Sequence, residues 1–344
     1  MNRFCLVFLA FCCTVSCVML DLSVSDADAV DSRVSFECVW PDVNARLGCD
    51  SVYVLMNRST DGVRYLYASS SGETIPDTTA IFGQYVAMSY SLNTADYQIE
   101  GRSDFLSSSL TYIRDFTAQT LTVPMETVEA LRGNSGLDFN ASYKFIAIPT
   151  QIYSSSSLVT VSDVADNNFR FNFTPVLTNL KLRLVLRAEP GVSITSVSGE
   201  ISGVPASINI KDASTSAEDL ARIIFPLARS TDGTCTADLL VTGLYPSEST
   251  ELLTGPGILR LCVCASFSGS EKILHPALNL RDLIVSKKVM VPAVQEGRYV
   301  TSSRSLELAV TPELLVGQES FISTGGGDGV GQWFDSDVLI DVEL

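Results

Sequence analysis

Histidine, the side chain that most often moves protons near neutral pH, occurs once in this chain of 344 residues, as His275. A nucleophilic serine or cysteine usually needs a neighbouring base, and here a single histidine, followed directly by Pro276, would have to supply it. A histidine-rich metal centre is excluded for the same reason. We therefore predict a protein that is not an enzyme and holds no cofactor or metal.

The cysteines offer a different chemistry, namely disulfide bonds. Cys38 and Cys49 flank a predicted turn between two strands, which makes them a candidate local disulfide. With Cys235, Cys262 and Cys264 the set beyond the N-terminal segment is odd in number, so one thiol stays unpaired or pairs outside the chain. Cys262 and Cys264 share one face of a predicted strand, which favours buried structural thiols. These spacings do not predict zinc.

Glycine-rich and acidic segments near the C-terminus could suggest nucleotide or calcium binding. Gly325–Gly329 reads GGGDG, but a phosphate cradle needs a preceding strand, a following helix and usually a lysine. Trp333 and a predicted strand follow instead, which favours a flexible loop. Asp335 and Asp337 could offer oxygens to calcium, but they lack the spacing of an EF-hand loop.

Charge and aromatic residues narrow the class of ligand. Acidic residues number 39 against 23 basic ones, so the net charge is -16, and nucleic acid is not an expected partner. Tyr65, Tyr67 and Tyr112 could form an exposed platform that stacks on sugars. Alternate tyrosines on a strand are more often part of sheet packing, and we favour that interpretation.

The elements that would position these residues are strands almost throughout. Apolar and polar residues alternate with period two in short segments bounded by Ser, Asn, Gly or Pro, which predicts antiparallel sheets with one solvated face. The clearest inward-facing set is Leu180, Leu182, Leu184 and Leu186, and a second set is Val34, Phe36, Cys38 and Trp40. We predict an all-β protein of two tandem antiparallel β-sandwich domains, Greek-key-like and transthyretin-like, joined by one or two short crossover helices.

Two segments have the character of such helices. Pro124–Arg132 places a proline in its first turn and ends at a glycine. Thr215–Glu218 resembles a capping box, and it predicts a helix that must end before Pro226.

A boundary between the two halves is expected near residue 165. The serine run Ser154–Ser157 and the Asn167–Asn168 turn lie there, between two series of strands. The prediction is an N-terminal sandwich of residues 33–165 and a C-terminal sandwich of residues 166–344.

The N-terminus has the pattern of a secretory signal. Met1–Arg3 is a short basic start, and an uncharged apolar run extends to Leu20. The sequence TVSC at residues 14–17 resembles a bacterial lipobox, with Thr14 where leucine is usual. We predict a lipoprotein signal peptide of residues 1–16, lipidation at Cys17 and a polar tether over residues 17–32. The alternative is an ordinary secretory signal with incidental cysteines.

The order of these segments is similar to that of the fimbrillin-like lipoproteins of Bacteroidales. The segments that carry the resemblance are TVSC, RVSFECVW, SVYVLMNR, YSLNTADYQIEG, NFRFNFTPVLTNLKLRLVLRAEPGVSITSVSGEISGVPASINI and WFDSDVLIDVEL. The resemblance implies an outer-membrane protein anchored by lipid at the cell surface, which serves as an anchor, accessory or tip subunit of adhesive fimbriae. Other fimbrial subunits would be its partners through strand addition or exchange, together with a host or microbial surface ligand.

In family members that polymerise, cleavage after an N-terminal arginine is implied to release the first strand. Arg33, Arg46 and Arg58 are the positions where that could happen here, although ordinary solvated residues are the interpretation we favour. The terminal segment DVLIDVEL closes the chain, so we expect it to stay in its own sheet. A different class of function remains as the alternative, a glycan-binding surface lipoprotein of a polysaccharide-uptake system.

Overall fold

The structure is a computed structural model that describes residues 20–21, 31–70, 74–100, 109–112, 143–146, 148–162, 167–311 and 313–318. Within these residues the regular elements are strands and two short α-helices, α1 (Val43–Leu47) and α2 (Arg281–Ser286). The all-β prediction is therefore confirmed. None of the described helices has the length and apolar character needed to cross a membrane.

The first twelve strands precede residue 176. They are β1 (Leu20–Asp21), β2 (Asp31–Val39), β3 (Ser51–Arg58), β4 (Arg64–Ser69), β5 (Thr74–Ile81), β6 (Gly83–Leu92), β7 (Tyr97–Glu100), β8 (Ser109–Tyr112), β9 (Lys144–Ile146), β10 (Tyr153–Val161), β11 (Asn167–Asn172) and β12 (Thr174–Pro175).

The remaining strands follow residue 177. They are β13 (Thr178–Ala188), β14 (Val192–Pro205), β15 (Ser207–Asn209), β16 (Leu220–Pro226), β17 (Ala228–Arg229), β18 (Thr234–Val241), β19 (Ile258–Phe267), β20 (Ser270–Leu274), β21 (Ala277–Asn279), β22 (Met290–Pro292), β23 (Tyr299–Thr301), β24 (Ser305–Ala309) and β25 (Leu314–Val316).

The chain forms two compact units. The described parts of the first lie within residues up to 113, 150–176 and 209–213, and those of the second lie within residues 114–149, 177–208 and 214–318.

The first unit is a sandwich of two sheets. The large sheet has the order β1-β4-β3-β6-β10-β12 and the small sheet the order β11-β2-β5. Side chains of both sheets form one buried cluster, to which the small sheet contributes Phe36 and Phe171, and the large sheet contributes Tyr67 and Tyr85. The predicted inward face of β2 is confirmed, because Val34, Phe36 and Cys38 are all buried.

The second unit contains a β17-β18-β13-β24 sheet, in which β25 also pairs with β13, and a β20-β19-β14-β16-β9 sheet, in which β21 pairs with β19. The alternation along β13 is confirmed, since Leu180, Leu182, Leu184 and Leu186 are at most 1% exposed. Lys181 and Arg183 point to the exposed side of the same strand.

Most pairings are antiparallel, but some are parallel. The parallel pairs are β2 with β11, β13 with β24 and β25, and β16 with β9. Parallel neighbours are joined by long connections, so adjacent segments of the sequence do not indicate them.

The position at which the chain passes from the first unit to the second differs from the expected boundary between residues 165 and 166. β11 belongs to the first unit because it pairs with β2, with Phe169 opposite Phe36. The first unit continues to Val176, whereas residues 144–146 lie in a sheet of the second. The serine run expected at the boundary instead lies in β10 and pairs with β6.

The helix predicted to begin at Thr215 is wrong. Thr215 exchanges backbone hydrogen bonds with Tyr299, at 2.7 and 3.0 Å, and Leu220–Pro226 forms β16. β16 lies between β14 and β9, and both Ile223 and Ile224 are fully buried. Burial on both faces favours β-branched residues in a strand over the local capping signal.

Candidate functional site: the edges of the first unit's large sheet

Strand β10 is held on one side along its whole length. It pairs antiparallel with β6 from Tyr153 opposite Ser91 to Val161 opposite Gly83. Val159 and Val161 contribute their side chains to the core of the first unit. The strand therefore has a fixed register and a fixed inward face.

The other side of β10 is paired at one end. β12 lies opposite Tyr153 and Ser154, and the Thr174 hydroxyl donates to the Ser154 carbonyl at 3.2 Å. The ladder does not continue toward Ser155, because the residues before Thr174 pair with β2 as part of β11 and the Phe173 N–H donates to the Val39 carbonyl at 2.9 Å. Within the described parts of the chain, no strand pairs with residues 155–161 on this side; we call it the β10 edge.

The β10 edge is exposed and uncharged. Leu158 is 81% exposed, and Ser156, Ser157 and Thr160 are exposed beside it. Natural edge strands are commonly protected by charged residues, proline or a bulge, and residues 155–161 contain no charge or proline. The arrangement can therefore accept an added strand through main-chain hydrogen bonds.

The opposite edge of the same sheet carries β1. Leu20 lies opposite Leu66 and Asp21 opposite Tyr65, antiparallel to β4. The tether expected over residues 17–32 is thus partly strand, and β2 begins within it at Asp31. Residues 1–16 and Cys17 lie outside the described residues.

The three arginines named as cleavage positions have different surroundings. Arg33 lies inside β2, opposite Thr79. Arg58 is buried, and its Nε donates to Asp61 Oδ1 at 2.8 Å and its Nη1 to the Phe82 carbonyl at 3.1 Å. Arg46 is exposed on α1. Arg33 and Arg46 are both exposed, and of the three residues Arg46 is the one that lies outside a strand.

The structure does not join Cys38 and Cys49, which are both free thiols. The Cys38 sulfur lies 3.6 Å from the Ser89 hydroxyl, and the Cys49 sulfur donates to the Gln151 carbonyl at 3.8 Å. Burial raises the pKa of the Cys38 thiol to about 11. In this structure Cys38 and Cys49 are therefore two separate thiols with different hydrogen-bond partners, and no disulfide bond joins them. Cys235 and Cys262 are buried and Cys264 is half-buried.

Two of the tyrosines considered as a sugar platform, Tyr65 and Tyr67, are part of the core, and the side chain of Tyr112 lies outside the described part of the structure. Tyr65 and Tyr67 are 3% and 1% exposed, their rings stack with centroids 5.9 Å apart, and the Tyr67 hydroxyl donates to the Thr79 carbonyl at 2.7 Å. Tyr97 is also buried. Their stacking faces are not available to a glycan, so packing in the sheet is the correct interpretation for these residues.

The second unit contains a group of buried charged residues that the sequence pattern did not predict. Glu200 on β14 is 1% exposed, with its Oε1 3.5 Å from Arg222 Nη1 and its Oε2 3.9 Å from Arg260 Nη1. The Arg222 guanidinium carbon also lies 3.6 Å from the centre of the Phe145 ring. A glutamate inside the otherwise uncharged run VSGEISGV is the feature of the sequence that could have indicated this buried charge. The two arginines compensate the charge of the buried carboxylate.

His275 lies near this charged group and is half-buried. Burial, with the Arg260 charge second, lowers the pKa of its imidazole below the ordinary value. Among the described residues, no three His, Cys, Asp or Glu side chains are grouped as metal ligands. The Gly325–Gly329 loop, Asp335, Asp337, the predicted helix Pro124–Arg132 and the terminal DVLIDVEL segment lie outside the described residues.

Comparison with known proteins gives a likeness of fold. No protein-family model matches the sequence, and no curated protein matches it either. A candidate adhesin from Bacteroides ovatus superimposes with a TM-score of 0.50 and 13% identity, covering 86% of this chain and 97% of that one. At this identity the match shows a shared fold.

Two further solved structures are more distant. A candidate polysaccharide-binding protein from Bacteroides thetaiotaomicron has a TM-score of 0.44 and 12% identity over 82% of this chain and 92% of that one. The fimbrial anchor protein Mfa2 from Porphyromonas gingivalis has a TM-score of 0.37 and 11% identity over 76% of this chain and 86% of that one.

Proposed function

We propose that this chain is a fimbrillin-like lipoprotein of the cell surface, a structural and adhesive component of fimbriae that acts as an anchor, accessory or tip subunit. The observation that carries the proposal is the shared fold with the Bacteroides ovatus adhesin over nearly the whole of both chains. Because a fold alone does not fix a function, the lipobox-like TVSC at residues 14–17 supplies independent support from the sequence.

In this proposal the acyl chains on Cys17 attach the protein to the outer membrane. The net charge of -16 gives no electrostatic attraction to anionic headgroups, so the lipid has to provide the binding energy. Each buried CH2 contributes roughly 0.8 kcal/mol, and stable anchoring takes more than one chain. The β-sandwich units then stand outside the membrane and contact other subunits.

Partners bind through strand addition. The exposed β10 edge supports this mode, since none of the described strands pairs with it beyond Ser154 and it carries no charged side chain that would repel an incoming strand. A non-catalytic role agrees with a chain that has one histidine.

Metabolic labelling with palmitate tests the anchor. The wild-type chain should incorporate label and sediment with membranes, and Cys17→Ala should lose both properties. The double variant Cys12→Ala/Cys13→Ala is the matched control and should keep the label. Label that persists in Cys17→Ala would contradict lipidation at this residue.

Purified fimbriae test the structural role. Fimbriae sheared from cells and probed with an antibody against the second unit should contain the chain, and deletion of its gene should change fimbrial number, length or attachment. A chain that is absent from fimbriae but retained on a glycan affinity gel would overturn the proposal in favour of glycan uptake.

A further inference from the structure

We propose that the β10 edge is a self-association surface, at which a second copy of this chain adds its own β10 antiparallel to the first. The resulting dimer has a two-fold axis near Leu158. The inference does not depend on the proposed function, because it concerns the purified chain alone, and it gives to a second copy the edge that another fimbrial subunit would otherwise occupy.

The hydrogen-bonding capacity of the edge is the first argument. β10 uses one side of its backbone for β6, and β12 occupies the other side opposite Tyr153 and Ser154. The stretch from Ser155 to Val161 has the length of an ordinary strand and a fixed register. A strand that pairs with it therefore gains main-chain hydrogen bonds without disturbing the sandwich.

The second argument is the exposure of Leu158, the large apolar side chain on the outer face of the edge strand. Leu158 is 81% exposed, whereas Val159 and Val161 on the same strand are buried in the core. An added strand covers the side chain that lies directly opposite it in the pair, where Cβ atoms are about 4.5–5.5 Å apart. In a two-fold pair centred on Leu158, each leucine covers the other.

The absence of charge selects a second copy as the partner. The chain carries 39 acidic and 23 basic residues, so two copies repel each other through their net charge of -16. Residues 153–161 carry none, so a β10–β10 pair places no like charges opposite each other. In this register Ser155 lies opposite Val161, Ser156 opposite Thr160 and Ser157 opposite Val159, and all of these side chains are small. An isologous contact of this kind closes on itself and does not extend into a fibre.

Sedimentation velocity of the full-length protein in non-ionic detergent tests the proposal. The wild type should populate a dimer at micromolar concentration, and Leu158→Lys should raise the dimer Kd by about tenfold or more, because two lysines then face each other across the axis. Leu47→Lys is the matched control, since Leu47 is 79% exposed on α1 and lies off the edge. It should dimerise like the wild type.

Ionic strength gives a second measurement. The two copies repel through their net charge, so added salt should strengthen the dimer by screening that repulsion. An interface made of ion pairs would weaken instead, and that result would overturn the proposal.

Cysteine crosslinking tests the register. Under mild oxidation on intact cells, Leu158→Cys should give a dimer that reductant dissolves, and Leu47→Cys should not. A wild type that remains monomeric at 100-fold higher concentration, a dimer unaffected by Leu158→Lys, or equal crosslinking of both cysteine variants would overturn the proposal. Binding of a different protein at the β10 edge with no self-association would also contradict it.

Discussion

Glu200 and Arg222 form an ion pair inside the second unit, with 3.5 Å between Oε1 and Nη1 and with side chains that are 1% and 4% exposed. Arg260, directly opposite Glu200 on β19, adds a second positive charge. One carboxylate thus links three neighbouring strands, β16, β14 and β19.

Removal of Glu200 should be costly. Glu200→Ala leaves two buried guanidinium groups without their carboxylate and should lower the free energy of unfolding of the second unit by about 3–5 kcal/mol. Denaturant titration followed by circular dichroism measures it.

Asp219→Ala is the matched control for that experiment. Asp219 pairs with Lys144 at 3.3 Å, but both side chains are nearly half exposed, so the loss should be about 0–1 kcal/mol. If the two substitutions lowered the free energy of unfolding equally, the buried ion pair would contribute no more to stability than the exposed one.

His275 should make stability depend on pH. Its pKa in the folded state is lower than the ordinary 6.5, so the unfolded chain binds the proton more readily. Stability should be fully present above pH 6.5 and should fall as the pH drops from there to the lowered pKa. Because His275 is the single histidine, one imidazole resonance in NMR reports this pKa directly. In His275→Gln the pH dependence in this window should shrink, and an imidazole resonance titrating at or above 6.5 would contradict the prediction.

The thiols of Cys38 and Cys49 should both be free and should react at different rates. With a pKa of about 11, Cys38 is roughly one-thousandth thiolate at pH 8, and it is buried, so alkylation of the native protein should be very slow. Cys49 is half-buried and should react sooner. In denaturant without reductant, peptide mass spectrometry should find label on both residues. Two unlabelled residues that become reactive only after reduction would establish the disulfide instead.

Of Arg33, Arg46 and Arg58, limited digestion with an arginine-specific protease should cut first after Arg46. Arg46 is exposed on a five-residue helix, whereas Arg33 lies within a paired strand and the Arg58 guanidinium is bound by Asp61. N-terminal sequencing of the first fragments identifies the cut, and Arg46→Gln should delay digestion. First cleavage after Arg33 would contradict this assignment and would point to release of β1.

Local pattern was enough to predict much of the fold. The inward faces of β2 and β13 follow from period-two alternation, because neighbouring residues of a strand point to opposite sides of the sheet. Pairing between distant segments could not be predicted in the same way. β11 joins β2 in parallel, and β9 joins β16, across long stretches of sequence that leave no local signal.

The candidate site was less predictable than the fold. Ser154–Ser157 has the composition of a linker, yet pairing with β6 makes it a strand, because main-chain hydrogen bonds require no particular side chain. The Thr215–Glu218 capping pattern failed for the related reason that a sheet buried on both faces outweighs a local helix signal.

The sequence by itself determined that the chain is rich in strands and that its one histidine limits the usual acid–base catalysis. The tertiary structure alone decided that Tyr65 and Tyr67 are core residues, that Glu200 meets Arg222, and that Leu158 remains on an open edge. The physical reason is that alternation records which side of a strand a residue occupies, whereas burial depends on which other strand lies beside it.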